Sequence, residues 1–206
     1  MAERRDSAPV IVLLAAGESR RFGGIKQLAD IDGETMVHRA ARTALATGVA
    51  LIVVTGANAG QVGAALSDLP LHIVHHAGWA DGMGSSLAAG IRYVVDRYPQ
   101  ATGALLCLAD QPLLDSSSLS HMLDRHAEMP AHILVTEHMG IAAPPVLFPS
   151  DCFAELRHWS GKQGAQDLVK REMHRVESFA SNIVFDVDTV GDLMRVRNRL
   201  TAVREN

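Results

Sequence analysis

Cysteine is almost absent. Cys107 and Cys152 are the only two in 206 residues, too few for a disulfide framework or a cysteine-rich zinc site. Cys107 lies inside an apolar run and is expected as a packed thiol. Aromatic residues make up only 4%, so the core has to come from the Ala, Val, Leu and Ile that dominate the 48% apolar content. An excess of either charge is also missing. The net charge of -4 gives no general pull toward nucleic acid or an anionic membrane. No apolar stretch approaches the roughly 20 residues of a membrane span, and the opening MAERRDSAP has no apolar signal core. A cytoplasmic protein with neither nucleic acid nor membrane as partner is expected. Repeats, low-complexity tracts and linkers are absent too, and the length suits one well-packed α/β domain better than two. Residues 1–8 are expected as a disordered lead-in and 9–206 as the domain.

What is there begins with Val10 to Lys26, VIVLLAAGESRRFGGIK. Val10 to Ala16 is a continuous apolar run, too short for a helix and rich in β-branched residues, and so reads as a buried strand. At Gly17 it breaks into a polar, cationic loop carrying Ser19, Arg20, Arg21, Gly23, Gly24 and Lys26. A strand ending so presents backbone N–H groups, a hydroxyl and fixed positive charge at the carboxyl edge of a sheet. Open α/β sheets bind ligands there, and such donors suit a polyphosphate. The spacing is neither a Walker loop nor the dinucleotide fingerprint.

Further along, strands alternate with helices. A helix is expected from Gly33-Glu34 to Gly48, then a strand over Ala50 to Val54, with Thr55 counted among the nucleotide-binding candidates, and a helix from Ala59 toward Leu66. Strands follow at Leu71 to Val74 and Ala104 to Leu108, with a helix from Ser85 between them. Asp115 caps a helix through His126. Strands are expected over Ile133 to Thr136 and Pro145 to Phe148, and helices over Asp151 to Trp159 and Gly164 to His174. Arg175 to Phe179 and Ile183 to Phe185 read as short β segments before a last helix capped at Thr189. Alternation of this kind implies right-handed crossovers and a mostly parallel sheet covered on both faces.

Three further features could carry chemistry. Asp110 follows an apolar strand directly, where a carboxylate can hold Mg²⁺ against a triphosphate. Asp186-Val187-Asp188-Thr189 offers a second acidic point, in which strand alternation leaves Asp186 and Asp188 on one face and Asp188 is preferred. In WADGMGSSL, Trp79 to Leu87, Gly82 and Gly84 let backbone approach a flat base, and Ser85 and Ser86 can donate at a helix start. His72, His75 and His76 cluster, but no residues complete a tetrahedral zinc set around them; His75 or His76 could line the nucleotide pocket. No Gly-x-Ser-x-Gly elbow is present.

The loop matches L-A-A-G-x-S-x-R-x-G-x-x-K at Leu14, Ala15, Ala16, Gly17, Ser19, Arg21, Gly23 and Lys26. With G-M-x-x-S (Gly82, Met83, Ser85, Ser86), D-x-P (Asp110, Pro112) and D-x-D-T-x-x-D (Asp186, Asp188, Thr189, Asp192), it resembles the molybdenum cofactor nucleotidyltransferases, most closely the cytidylyltransferase branch. The resemblance implies a single-domain, Rossmann-like, three-layer α/β/α fold. It implies that Arg21, Lys26 and Asp110 are catalytic, and that Asp110 and Asp188 hold Mg²⁺. Nucleotide contacts would fall to Leu14, Ala15, Ala16, Gly17, Ser19, Gly23, Thr55, Gly82, Ser85 and Ser86. CTP and a phosphorylated pterin would be the substrates, with a molybdoenzyme as a possible recipient of the product. One segment departs from the family: its G-D-x-G-A-R is here Gly161-Lys162-Gln163-Gly164-Ala165-Gln166, an acid replaced by a base and an arginine by a neutral side chain. That leaves open another small phosphorylated acceptor, or a nucleotide-binding carrier without catalysis.

Overall fold

The structure is a computed structural model that describes residues 7–138, 141–160, 165–180 and 185–204. The lead-in up to residue 6, residues 161–164 of the departing segment and residues 183–184 of the last expected β segment lie outside the described residues.

The order of elements follows from the apolar pattern. β1 (Val10–Ala15) is buried at all six positions. Its alternate residues Val10, Val12 and Leu14 enter one core and Ile11, Leu13 and Ala15 the other, as a strand covered on both faces requires. A two-residue turn joins β2 (Asp30–Ile31) to β3 (Glu34–Thr35), and α1 (Met36–Leu45) follows. The chain continues through β4 (Leu51–Thr55), α2 (Ala59–Ala64), β5 (His72–His75), α3 (Met83–Arg97) and β6 (Gly103–Leu108). Next come α4 (Ser116–Glu128), β7 (Ile133–His138), β8 (Ile141–Pro149), α5 (Phe153–Leu156), α6 (Gln166–Arg171), β9 (Val176–Ala180) and α7 (Val190–Arg204).

Seven strands form one sheet in the order β5-β4-β1-β6-β8-β7-β9. Every neighbouring pair is parallel except the two that involve β8. α1, α2 and α4 cover one face through Val37, Val62 and Leu119, while α3, α5 and α6 cover the other through Leu87, Leu156 and Leu168. α7 packs on a third cluster, where Leu193 and Val196 meet Ile31, Met36 and Val187. The expected single-domain, Rossmann-like α/β/α arrangement is what the chain adopts. Cys107 is buried, and burial pushes its thiol up to about 12, so it is an inert packing group.

Four expected elements differ. The helix expected from Gly33 starts at Met36, because Asp32 (φ 59) and Gly33 (φ 85) form a left-handed hairpin turn of the kind Asp-Gly favours. Thr35 is the cap instead, its hydroxyl accepting from the His38 N–H at 3.4 Å. The short strand expected at 145–148 is the nine-residue β8. Pro144 and Pro145 argue locally against a central strand, but the ladder shifts register between Val135 and Thr136, and Thr136 Oγ1 donates to the Pro145 carbonyl at 2.9 Å. The helices expected at 151–159 and 164–174 contract to α5 and α6, flanked by 3₁₀ turns. Arg175 ties those turns together, donating to Asp151 at 2.6 Å, Glu172 at 3.0 Å and the Ala131 carbonyl at 2.9 Å.

Gly90 marks the closest helix–sheet approach. A Cβ there would stand 2.5 Å from Val12 Cγ1 and 3.1 Å from Val54 Cγ2, both on β-branched side chains locked in strands. Gly90→Ala is expected to destabilise by about 1–3 kcal/mol, read as a fall in melting temperature of about 2–4 °C per kcal/mol. An unchanged melt would mean that α3 can lift off the sheet freely.

The hairpin is anchored to α1 by charge. Arg42 makes a two-pronged contact with Glu34, both bonds 2.9 Å, and His38 reaches Glu34 at 2.7 Å. Hydrogen bonding from Arg42 leads the effects that hold the Glu34 carboxyl down to about 2. The Glu34 contact holds the His38 imidazole above its ordinary value. A lowered carboxyl contributes stability above its unfolded value and loses it as pH falls through the folded one. A raised imidazole contributes below its unfolded value and loses the contribution as pH rises through the folded one. Glu34→Gln is therefore expected to lower the melting temperature most between about pH 5 and 6. The pair is partly exposed, so the loss should be about 1 kcal/mol. The gap to the parent should close as pH falls from 4.5 toward about 2 and narrow again above neutrality.

Candidate active site

At the carboxyl edge of the sheet, the end of β1 is tied to the ends of its two neighbours, β6 and β4. The Leu14 carbonyl accepts from the Ala109 N–H, and the Ala16 carbonyl from the Ala57 N–H, both at 3.1 Å. Beyond Ala16 the chain has no ladder to join, and one buried amide gives it its shape. Gln27 is 3% exposed; its Nε2 donates to the Gly17 carbonyl at 2.8 Å and its Oε1 accepts from Ser19 Oγ at 3.0 Å. Ser19 sits at φ 63, a left-handed conformation costing a non-glycine residue about 1–2 kcal/mol, and the Gln27 contact holds it there. Gly23, at φ +77, supplies the second left-handed turn. The loop then delivers Lys26 to the sheet edge.

Lys26 meets two carboxylates from distant parts of the chain. Its Nζ donates to Asp110 Oδ2 at 2.6 Å and to Asp188 Oδ1 at 3.0 Å, across sequence separations of 84 and 162. Arg21 Nη2 lies 2.7 Å from the other Asp188 oxygen. Asp110 is there because β6 ends two residues before it. The segment before α7 is there because the Val187 N–H donates to the Asp110 carbonyl at 2.9 Å. Thr189 and Asp192 fix the start of α7 reciprocally: Thr189 N–H donates to Asp192 Oδ2 at 2.9 Å, and Asp192 N–H to Thr189 Oγ1 at 3.2 Å. This is a capping box.

Burial alone would lower the Lys26 pKa. The Asp110 charge and hydrogen bonds to both carboxylates outweigh it and hold the ammonium above its ordinary value. Burial raises the Asp110 carboxyl, Lys26 draws it back down, and the charges of Asp186 and Asp188 add to the rise. The Lys26 ammonium and the Arg21 guanidinium together balance the two carboxylates, so a divalent cation bound here would take over contacts those side chains now make. Asp110 Oδ1 is buried and has no hydrogen-bond partner among the described residues, a hard oxygen of the type Mg²⁺ or Mn²⁺ takes. No group of three or more His, Cys, Asp or Glu suited to a metal occurs among the described residues. Two carboxylates are, however, the usual protein share where the substrate's phosphates complete the shell.

Lys26, Asp110 and Asp188 border a cleft of about 500 Å³, within the range of small-molecule sites. Of the residues expected from sequence, Leu14, Ala15, Ala16, Gly17, Ser19, Lys26, Gly82, Ser86, Asp110 and Asp188 line it. Arg21 and Gly23 sit on the exposed outer turn of the loop and are not in the lining. Thr55 is fully buried, its hydroxyl directed at the Val74 carbonyl at 3.5 Å. Ser85 also turns inward: its Oγ donates to the Gly82 carbonyl at 2.8 Å and lies 3.0 Å from His76 Nε2. Neither hydroxyl faces the cleft: that of Thr55 is directed at the neighbouring strand β5, and that of Ser85 is bonded within its own loop. His75 and His76 are not in the lining. Gln27 lines the cleft without any expectation attached to it, and Trp79 and Met83, noted only as parts of the Trp79–Leu87 feature, line it too. A glutamine directly after the last cation of the glycine loop was the only signal for the first. Gly82 at φ 110 gives that wall a backbone only glycine adopts readily.

A mostly parallel sheet, a glycine loop at its carboxyl edge, and a lysine set between two carboxylates define a nucleotide-handling α/β protein of the nucleotidyltransferase type. The chain belongs to the family of MobA-like NTP transferase domains, matched over residues 11–176. It is 32% identical to the nicotine blue oxidoreductase of Paenarthrobacter nicotinovorans, over 90% of this chain and 94% of that protein. It is 29% identical to the purine catabolism protein PucB of Bacillus subtilis (92% and 96%). The molybdenum cofactor cytidylyltransferase of Escherichia coli is 23% identical (96% and 100%). Among solved structures, Rv0371c of Mycobacterium tuberculosis in complex with manganese superimposes with a TM-score of 0.77 at 29% identity, covering 93% of this chain and 98% of that one. That relative holds a divalent metal, in keeping with the carboxylate pair here. No helix among the described residues is long and apolar enough to cross a membrane.

Proposed function

We propose that this nucleotidyltransferase moves a CMP group from CTP to the terminal phosphate of molybdopterin, or of its molybdenum-loaded form, releasing pyrophosphate. The observation that carries the reading is the Lys26 ammonium 2.6 Å from Asp110 and 3.0 Å from Asp188 at the rim of the Gly17 cleft. The Ala15-Ala16-Gly17 form of the loop, which resembles that of CTP-using enzymes, supports the base. The Escherichia coli relative supports both base and acceptor. A cytoplasmic location, and delivery of the product to a molybdoenzyme, belong to the same proposal.

An acceptor phosphate oxygen attacks the α-phosphorus in line; a new P–O–P bond forms and the bond to the β-phosphate bridging oxygen breaks. A phosphate monoester is already anionic near pH 7, so the chain needs no general base. Its work is positioning, worth up to about 7–11 kcal/mol for well-held reactants, and compensation of developing charge. Backbone N–H groups of the Gly17–Gly24 loop, that of Ser19 among them, hold the polyphosphate. Lys26 and Arg21 balance the charge that gathers on departing pyrophosphate. Asp110 and Asp188 would hold Mg²⁺, which when bound supplies Lewis-acid neutralisation of the α-phosphate. Trp79, Gly82 and Met83 form the wall against which the base packs.

Thermal stabilisation by each of the four nucleoside triphosphates with Mg²⁺ tests the base. CTP at about 100 times its Kd should add about 2.7 kcal/mol, a rise of about 5–11 °C at about 2–4 °C per kcal/mol. Equal or absent shifts with all four would overturn the CTP reading. Replacement of the family's acid and arginine by Lys162 and Gln166 favours a second reading, a different small phosphorylated acceptor. Pyrophosphate release faster with a sugar or polyol phosphate than with molybdopterin would establish it. Nucleotide binding without any release would point to a carrier.

A further inference from the structure

Gln111 is 2% exposed and belongs to no element, yet its side chain ties its own loop to two distant segments. Its Nε2 donates to Asp186 Oδ1 at 2.9 Å and to the Pro144 carbonyl at 3.1 Å. Both partners are acceptors, so the amide has one workable orientation; reversed, its oxygen would face two other oxygens. Holding that orientation leaves Gln111 Oε1 buried without a partner among the described residues. The loop after β6, the strand β8 and the run before α7 are thereby clamped together, beside the Val187–Asp110 backbone bond at 2.9 Å.

The clamp bears on the site because Asp186 and Asp188 are two residues apart. In an extended segment such residues project to the same side, and the charge of Asp186 already acts on Asp110. A third carboxylate free to swing toward Asp110 would compete with Asp188 for Lys26 and for any cation. The Gln111 amide takes that carboxylate first.

We infer that Gln111 is a positioning residue which, by binding Asp186, keeps that carboxylate out of the Asp110–Lys26–Asp188 group and leaves Asp188 as the partner of Asp110. This rests on the proposed reading of Asp110 and Asp188 as ligands of a divalent cation. Glutamine suits the task where glutamate would not: a carboxylate at 111 would repel Asp186 and the Pro144 carbonyl and add charge next to Asp110.

The test compares the full chain with Gln111→Met, Asp186→Ala, the double variant, and Asp186→Asn. The readouts are kcat, the KM for CTP, and the extra rise in melting temperature that Mg²⁺ gives over CTP alone. Outer-shell partners of metal ligands are typically worth about 10–100-fold in affinity or activity. Gln111→Met, which frees Asp186, should cost that much in kcat and shrink the Mg²⁺-dependent rise, with KM for CTP held within about threefold. Asp186→Ala and Asp186→Asn, which leave no competing carboxylate, should each keep kcat within about threefold of the parent. The double variant should recover most of the loss seen in Gln111→Met, since the released carboxylate is gone. A double variant as slow as Gln111→Met, or an Asp186→Ala loss as large as that of Gln111→Met, would overturn the inference. So would a Gln111→Met variant whose kcat and Mg²⁺-dependent rise match the parent's. A parent whose melting point Mg²⁺ does not move beyond CTP alone would instead overturn the reading of the cation ligands.

Discussion

Asp110→Asn is expected to slow pyrophosphate release by about 10³-fold while the melting temperature stays within a few degrees of the parent. The two effects separate for a physical reason. Asparagine fills the same space at the end of β6 and still offers an oxygen to Lys26, whose second bond to Asp188 at 3.0 Å is untouched. Burial already disfavours the Asp110 charge, so the folded state gives up little by losing it. The reaction gives up much, because a formal charge beside the polyphosphate becomes a dipole, and the buried Oδ1 is no longer part of an anion. The Mg²⁺-dependent rise in melting temperature with CTP should vanish with the activity. Release within tenfold of the parent, measured with CTP, Mg²⁺ and molybdopterin, would remove Asp110 from the chemistry.

Lys26→Met should do the reverse to stability. Its side chain is 13% exposed, and its removal leaves Asp110 and Asp188 facing each other without the ammonium between them. Breaking a fully buried pair costs about 3–5 kcal/mol. Arg21 still reaches Asp188 at 2.7 Å and the Asp188 side chain is 32% exposed, so about 2–3 kcal/mol is expected here. That is a fall of about 4–12 °C at about 2–4 °C per kcal/mol. The raised Lys26 ammonium contributes fully below 10.5 and loses its contribution only as pH rises through the folded value. The gap between variant and parent should therefore hold across neutral pH. It should narrow on acidification, as the carboxylates protonate and their repulsion fades. Turnover should fall about 10²–10³-fold, since the charge on departing pyrophosphate loses its nearest counterion. A variant that melts with the parent at pH 7 would show that the ammonium does not hold the two carboxylates together.

The two variants probe one arrangement from opposite sides, and it was only partly legible in the chain. The Val10–Lys26 stretch could be read because its information is contiguous: an apolar strand, a glycine break, then a lysine. Asp110 could be placed because it directly follows a run too apolar to be anything but a buried strand. The Asp32-Gly33 hairpin is also written in the chain, but the helical spacing that begins immediately after it hides the turn. Gln111 gave no local signal at all, since its partners lie 33 and 75 residues away.

By itself, then, the sequence determined that β1 and β6 are buried strands, where those two end to within a residue, and which charged residues follow them. These are consequences of side-chain burial and backbone preference among near neighbours, and they are set before any long-range contact forms. Only the tertiary structure decided that Asp188 meets Lys26 while Asp186 is held by Gln111, and that Thr55 and Ser85 turn away from the cleft. Such outcomes depend on how the sheet orders its strands and on which backbone groups are still unpaired at its edge. A pattern of period two, or a motif a few residues long, does not contain that information.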